Sequence, residues 1–143
     1  MMISTKGRYA LRVMIDLAQQ PLDRYTPLEE IATRQGISKK YLEIILKTLV
    51  SHKLLVGLRG KGGGYRLTRK PEEYRVLEIL ELTEGPLCAV TCLLPGEEPC
   101  ERRASCKTLP MWRRFDRMVR EFFEGVTVED LVREDKADGE GAQ

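Results

Sequence analysis

The chain has 143 residues, of which 42% are hydrophobic and 32% charged, and its net charge is +2. This length suits one domain or one domain with an extension, and the apolar share is enough for a core. No apolar run approaches the roughly eighteen residues of a membrane helix, and Lys6, Arg8 and Asp16 interrupt any signal-peptide core. We therefore expect a cytoplasmic protein that does not enter a membrane.

The charge is unevenly distributed along the chain. Up to Leu87 there are 15 basic and 10 acidic residues, whereas from Cys88 onward there are 9 basic and 12 acidic ones. A basic front and an acidic rear suit a DNA-binding module followed by a region for sensing and assembly. The excess is too small to establish nucleic-acid binding by charge alone.

The first third of the chain predicts two helices and a tight turn. Apolar residues recur at helical spacing over residues 3–20. Thr26, Pro27 and Glu29 form a capping-box pattern, which predicts that a second helix begins there. Gly36 should end this helix and make the turn into a third one. The spacing is that of a helix-turn-helix motif.

The third helix carries the predicted DNA-reading surface. Its apolar residues recur at helical spacing from Leu42 to Val50, and Ser38 is a good N-cap. A helix with a polar first turn and an apolar back can place its N-terminal end in the major groove. An ordinary amphipathic surface helix is the alternative. The residues of this segment expected at DNA are Ser38, Lys39, Lys40, Tyr41, Glu43 and Lys47.

A glycine-rich hairpin follows the third helix. Leu55–Leu58 and residues 65–67 predict two short strands, and the glycines between them allow the backbone angles of a hairpin tip. Arg59 and Lys61 on this wing should contact phosphates or the minor groove. A phosphate-binding loop is excluded, because no Gly-Lys-Ser/Thr sequence opens a helix here. A helical segment that begins at Pro71 should complete the core.

Four cysteines lie close together after this segment, at Cys88, Cys92, Cys100 and Cys106. Cysteines clustered in a loop with proline and glycine indicate a metal or redox site in a cytosolic protein. The first gap fits a zinc site, and thiolates suit an iron–sulfur cluster equally well. A disulfide switch is the third possibility.

A long helix is predicted over residues 108–125. Apolar side chains in and just after it alternate by three and four residues, which is a heptad seam. We expect this seam to form a dimer interface, and an intramolecular core is the alternative. The predicted interface residues are Trp112, Phe115, Val119, Phe122 and Val126. A short capped helical turn should follow at 127–132, and the charged segment 133–143 reads as a disordered tail.

Several of these segments together resemble the Rrf2 family of bacterial transcription regulators. The resemblance spans residues 5–112 and implies a dimeric winged-helix fold. In members that sense iron–sulfur clusters, three loop cysteines bind a two-iron, two-sulfur (2Fe-2S) cluster, and they correspond to Cys92, Cys100 and Cys106. The matching stretches are Gly36-Ile37-Ser38, Tyr41-Leu42-Glu43, Leu54-Leu55-Val56 and Arg59-Gly60 with Gly63-Gly64-Tyr65.

The chain departs from this family pattern at the fourth ligand. The histidine that follows the last cysteine by three residues in cluster-binding members is Leu109 here. The acidic residue that some relatives use near position eight is Arg8, which cannot serve as a ligand. We therefore expect Cys88 to be the fourth ligand.

The sequence thus predicts a mainly α fold, a winged helix-turn-helix with a two-stranded wing and a long C-terminal dimerisation helix. The expected divisions are a DNA-binding domain (1–87), a cysteine-rich cluster loop (88–107), the dimerisation and terminal helices (108–132) and the tail (133–143). The expected function is a homodimeric repressor or activator of transcription that binds a roughly palindromic double-stranded operator and senses iron–sulfur cluster status.

Two alternatives to this function stay open. In the first, the protein is a winged-helix regulator whose cysteine loop holds structural zinc or acts as a thiol redox switch. In the second, it is a small redox or iron–sulfur carrier protein without specific DNA binding. Catalysis is not expected, because the chain has one histidine and no recognisable nucleophile, base and acid set.

Overall fold

The computed structural model describes residues 2–134, so most of the predicted tail lies outside the described residues. Two short 3-10 turns accompany the regular elements, at Pro71–Glu73 and Thr91–Leu93. The mainly α winged-helix fold class is confirmed. In chain order the elements are α1 (Thr5–Ala18), α2 (Leu28–Gln35), α3 (Lys39–Ser51), β1 (Leu55–Leu58), β2 (Gly64–Leu67), α4 (Val76–Glu84), α5 (Leu109–Glu124) and α6 (Val128–Val132).

The main core lies where α1, α2 and α3 pack together and onto the base of the wing. Met14, Ile31 and Leu46 are completely buried there, one from each helix. A second apolar cluster forms around Leu80 of α4, and Phe123 near the end of α5 packs against it. The C-terminal part of α5 is therefore joined to the DNA-binding module through side chains of the same chain.

The start of α1 is held by the end of α4. Ser4 caps the helix, and its backbone amide donates a hydrogen bond to Oε1 of Glu84 over 3.0 Å. The same carboxylate lies against Gly7, where an added Cβ would come within 2.3 Å of Oε1. A negative group at a helix N-terminus is favourable because of the helix dipole. These contacts explain why α1 begins at Thr5 rather than at the predicted residue 3.

The predicted capping box at Thr26 is wrong. The Thr26 amide donates to the carbonyl oxygen of Tyr65 over 2.9 Å, and the Thr26 carbonyl accepts from the Tyr65 amide over 2.9 Å. Thr26 is thus an extended residue paired with the wing, and Pro27 takes the N-cap position of α2. The Thr26 hydroxyl is buried and has no hydrogen-bond partner among the described residues. The backbone bridge fixes the wing against the start of α2.

Tyr74 fastens the other end of the wing. Its hydroxyl is fully buried, donates to the Leu54 carbonyl over 2.7 Å, and accepts from the amides of Thr68 and Arg69 over 2.9 and 3.0 Å. These bonds join the residue before β1 to the residues after β2. The strands are therefore anchored at their base, and the hairpin tip projects from it.

Gly64→Ala should disrupt the backbone bridge between the wing and the segment before α2. Gly64 has a φ of +153°, and an added Cβ would lie 2.2 Å from the carbonyl oxygen of Thr26. We expect a loss of about 3 kcal/mol in the free energy of unfolding, measured by urea denaturation. Gly62→Ala is the matched control, because its φ is +79° but no atom lies within 4 Å of the added Cβ. It should cost about 1 kcal/mol, and equal losses for both variants would contradict the close approach at Thr26.

Candidate nucleic-acid interface and cysteine loop

The turn between α2 and α3 is built as the sequence predicts. Gly36 adopts the left-handed conformation with φ 63° and ψ 36°, which glycine reaches without a steric penalty. Ile37 is buried in the main core. Ser38 caps α3, because its Oγ accepts a hydrogen bond from the Tyr41 amide over 3.2 Å. The N-terminal end of α3 is therefore fixed relative to α2.

A buried carboxylate holds α2 against α1. Asp16 is 2% exposed, and its two oxygens accept from Nη2 and Nε of Arg34 over 2.8 and 3.0 Å. Gln35 Nε2 donates to Asp16 over 2.9 Å. The hydrogen bonds to Asp16 raise the pKa of Arg34 above its usual value. Because α2 packs on α3, this paired charge helps to set the orientation of the whole helix-turn-helix.

Four residues form the outward face of α3. Lys40, Glu43, Ile44 and Lys47 are all exposed and recur at the spacing of one helix face. Of the other α3 residues predicted to contact DNA, Lys39 and Tyr41 have partners within the chain. Lys39 Nζ pairs with Glu29 Oε1 of α2 over 2.9 Å, and the half-buried ring of Tyr41 lies edge-on to Tyr9, with 5.9 Å between ring centroids.

The wing and α3 enclose an open groove of about 630 Å³. Glu43 and Lys47 line it from α3, and Leu58 and Arg59 line it from the wing. Lys61 is exposed near the hairpin tip, where Gly60 and Gly62 have positive φ as the sequence predicts. The structure therefore brings acidic and basic side chains from α3 and the wing to one open groove.

Two exposed apolar side chains at this surface escaped the sequence interpretation. Ile44 on α3 is 50% exposed and Leu58 on the wing is 48% exposed. Ile44 directly precedes the buried Ile45, so a strict helical register places it outside the apolar stripe. The helical register could therefore have revealed that Ile44 is exposed, but apolar residues on both sides of it in the sequence hide this.

The cysteine loop is anchored on α5. Asp116 is 8% exposed, and its Oδ1 accepts a hydrogen bond from the Ala89 amide over 2.9 Å. The Sγ of Cys88 lies 3.6 Å from the Leu93 carbonyl oxygen, inside the same loop. The first turn of the loop is thus attached to the middle of the helix into which the loop eventually leads.

The four thiols lie in different environments. Burial, and secondarily the charge of Asp116, raises the pKa of the Cys88 thiol. The Thr108 hydroxyl, 3.3 Å from Sγ of Cys106, lowers the pKa of that thiol because it stabilises the thiolate. Cys100 is exposed, and Cys92 is half-buried. All four cysteines are free thiols.

The donor chemistry of this loop fits an iron–sulfur cluster or zinc, since both prefer thiolates. The arrangement is open, however. Within residues 2–134 the structure gathers no three histidine, cysteine or acidic side chains at metal-binding distances. Cys92, Cys100, Cys106 and Cys88 would therefore have to converge when a metal group binds.

Alkylation rates should reveal the opposite pKa shifts of the Cys88 and Cys106 thiols. Near neutral pH we expect iodoacetamide to modify Cys106 before Cys88, because a lowered pKa populates the nucleophilic thiolate at lower pH. Mass spectrometry of peptides from a time course, at several pH values, measures both rates. Thr108→Val removes the hydroxyl and should slow Cys106 while leaving Cys88 unchanged. Equal rates for the two cysteines in the wild-type chain would contradict the assigned environments.

The long helix α5 carries an exposed apolar stripe. Phe115 and Phe122, both predicted for the seam, are 43% and 66% exposed, and they lie together with Met111 and Met118 at 44% and 68%. Trp112 and Val119 are half-buried beside the stripe. Val126 lies apart from it. Its side chain packs against the second apolar cluster, and its carbonyl accepts from the Val76 amide over 2.9 Å.

Among the described residues, no helix is both long and apolar enough to cross a bilayer. A family model described as Rrf2, "Iron-dependent Transcriptional regulator", matches residues 3–134. The "HTH-type transcriptional regulator IscR" of Aliivibrio salmonicida is 35% identical, over 92% of this chain and 77% of the relative.

Two solved structures of bacterial regulators are also similar to this chain. The global cysteine regulator CymR of B. subtilis superimposes with a TM-score of 0.74 at 36% identity, covering 92% of this chain and 96% of CymR. The IscR structure from T. potens has a TM-score of 0.73 at 31% identity, covering all of this chain and 91% of IscR.

Proposed function

The chain belongs to the Rrf2 family of transcriptional regulators, and from this we propose that it acts in the cytoplasm as a homodimer that binds a roughly palindromic operator and senses iron–sulfur cluster status. Its relatives are IscR-like DNA-binding regulators. The outward face of α3 beside the wing groove is the observation that carries the DNA-binding role. The four thiols in a loop attached to α5 support the sensing role.

Each side chain of the interface has a distinct task. Lys40 and Lys47 flank the outward face of α3 and contact phosphates, which fixes the position of the helix without reading sequence. Glu43 lies between them and accepts a hydrogen bond from a cytosine amino group in the major groove. Arg59 and Lys61 on the wing grip phosphates or enter the minor groove.

Two copies of this surface give the operator its symmetry. In a dimer the two α3 helices enter successive major grooves, so that the half-sites are related by the molecular two-fold axis. The exposed stripe of Met111, Phe115, Met118 and Phe122 is the apolar surface available for pairing two α5 helices. The two reading surfaces are then held at a separation set by α5.

The cysteine loop supplies the regulatory input. Cys92, Cys100 and Cys106, with Cys88 as the fourth ligand, would hold a cluster whose presence depends on iron, sulfide and oxidants. The Ala89–Asp116 hydrogen bond ties the loop to α5, so a rearrangement of the loop acts on the helix that sets the separation of the reading surfaces. A coupling free energy of about 1–3 kcal/mol is enough for a useful switch.

Metal analysis of anaerobically purified protein tests this proposal. We expect visible absorption with matched iron and sulfide contents, and a large loss of both in Cys88→Ala. The circular dichroism spectrum of the variant should be unchanged, because Cys88 is only half-buried. Colourless protein that resists reconstitution and carries stoichiometric zinc would eliminate cluster sensing, and wild-type occupancy in Cys88→Ala would eliminate the fourth ligand.

A thiol switch in the same loop is the second candidate. The lowered pKa of Cys106 and the exposure of Cys100 favour it, since thiolate character and access govern oxidation. Diamide treatment of metal-free protein, followed by operator titration, distinguishes the candidates. A carrier protein without specific DNA binding would instead show no salt-dependent preference for any duplex.

A further inference from the structure

Ile44 occupies an unusual place on α3. The other large aliphatic residues in the middle of this helix, Leu42, Ile45 and Leu46, are 0% exposed, whereas Ile44 is 50% exposed. It does not belong to either apolar cluster of the described residues. Its exposure follows from the helical register, which places Lys40 one turn before it and Lys47 nearly one turn after it.

The surroundings of Ile44 specify what its side chain can contact. Lys40 and Lys47 stand at the two ends of the outward face, and Glu43 lies beside Ile44 between them. Two lysines at this spacing suit phosphates on either side of a groove, and they leave the two middle residues over the base edges. The base edges of the major groove are hydrogen-bonding groups, with one apolar exception, the 5-methyl group of thymine.

The isoleucine side chain is well suited to this contact. A β-branched residue in a helix has one strongly preferred χ1 rotamer, so little side-chain freedom is lost when a methyl group packs against it. Its neighbour Thr48 is engaged with the α3 backbone, because Thr48 Oγ1 donates to the Ile44 carbonyl oxygen over 3.2 Å. The Thr48 hydroxyl therefore points to the helix backbone and does not place a polar group over the Ile44 side chain.

We propose that Ile44 reads the 5-methyl group of one thymine in each half-site. The inference rests on the proposed DNA-binding function and adds to it a specificity-determining residue. Glu43 and Ile44 then read neighbouring positions by different chemistry, a hydrogen bond to cytosine and an apolar contact to thymine. Adenine, guanine and cytosine at the position opposite Ile44 all lack this methyl group.

Replacement of thymidine by deoxyuridine tests the proposal, because it removes the 5-methyl group and leaves base pairing intact. The probe is a duplex selected by the full-length protein from a random pool, with each thymine replaced in turn. For wild-type protein we expect one position per half-site at which the loss of the methyl weakens binding about fourfold. Ile44→Ala should bind the thymine and uracil duplexes equally.

Leu22→Ala is the matched control, since Leu22 is an exposed aliphatic residue, 43% accessible, outside α3 and the wing. It should retain the wild-type preference for thymine. The proposal is overturned if no thymine shows this sensitivity, or if Ile44→Ala keeps it. Failure of the underlying function looks different: selection then yields no duplex with salt-dependent, sequence-specific binding, and both statements are rejected together.

Discussion

Phe122→Glu should convert the protein into a monomer that binds its operator on the order of 100-fold more weakly. Phe122 is 66% exposed on the apolar stripe of α5, and a carboxylate there would be buried without a partner between two α5 helices. Loss of pairing removes the gain in affinity that comes from engaging two half-sites at once. Multi-angle light scattering measures the mass, and fluorescence anisotropy measures the affinity.

Phe122→Leu is the control for this change, because it keeps an apolar side chain at the same position. We expect it to remain a dimer and to bind with nearly wild-type affinity. Phe115→Glu, about two helical turns earlier on the same stripe, should reproduce the effect. A Phe122→Glu variant that stays dimeric would move the interface to another surface of the chain.

Arg34→Ala is expected to lower the free energy of unfolding by about 3 kcal/mol, as much as Gly64→Ala. Asp16 is 2% exposed, and among the described residues it keeps only the Gln35 amide as a hydrogen-bond donor when the guanidinium is removed. A buried carboxylate without its counter-ion is costly, since desolvation is no longer offset. Urea denaturation monitored by circular dichroism gives the value directly.

Arg24→Ala provides a matched comparison for Arg34→Ala. Arg24 pairs with Glu30, whose side chain is 38% exposed, and its own side chain is 43% exposed. Exposed ion pairs contribute less than about 1 kcal/mol, so this variant should be close to wild type. Similar losses for the two arginines would mean that the burial of Asp16 does not control the outcome.

The fold was largely predictable because its main signals are local. Helical spacing, the Ser38 cap and the Gly36 turn act within a few residues of one another, and all of them are present in the structure. Thr26 shows where this reasoning fails. Its sequence context favours a cap, but its backbone amide and carbonyl both form hydrogen bonds with Tyr65, a residue far along the chain. Pairing between distant segments produces no periodic pattern in the sequence of either segment, so it could not be predicted.

The candidate site was predictable in residue type more than in arrangement. Charged residues near the start of α3 and on the wing were easy to select, but the exposure of Ile44 and the pairing of Lys39 with Glu29 depend on how α2 and α3 pack. On α5 the heptad spacing places Phe115 and Phe122 on one helix face, and both are exposed there, whereas Val126 packs inside the chain. The chain leaves the helix before Val126, so the helical phase no longer determines where that side chain points.

The Ala89–Asp116 hydrogen bond has a consequence for the cost of organising the cysteine loop. It joins two residues 27 positions apart, so three of the four thiols lie on a closed stretch of chain. Loop-closure entropy grows only slowly with length, and most of it arises when the ends first meet. The Ala89–Asp116 hydrogen bond already brings these ends together. Convergence of Cys92, Cys100 and Cys106 on a metal group would then require ordering only inside this closed stretch of chain.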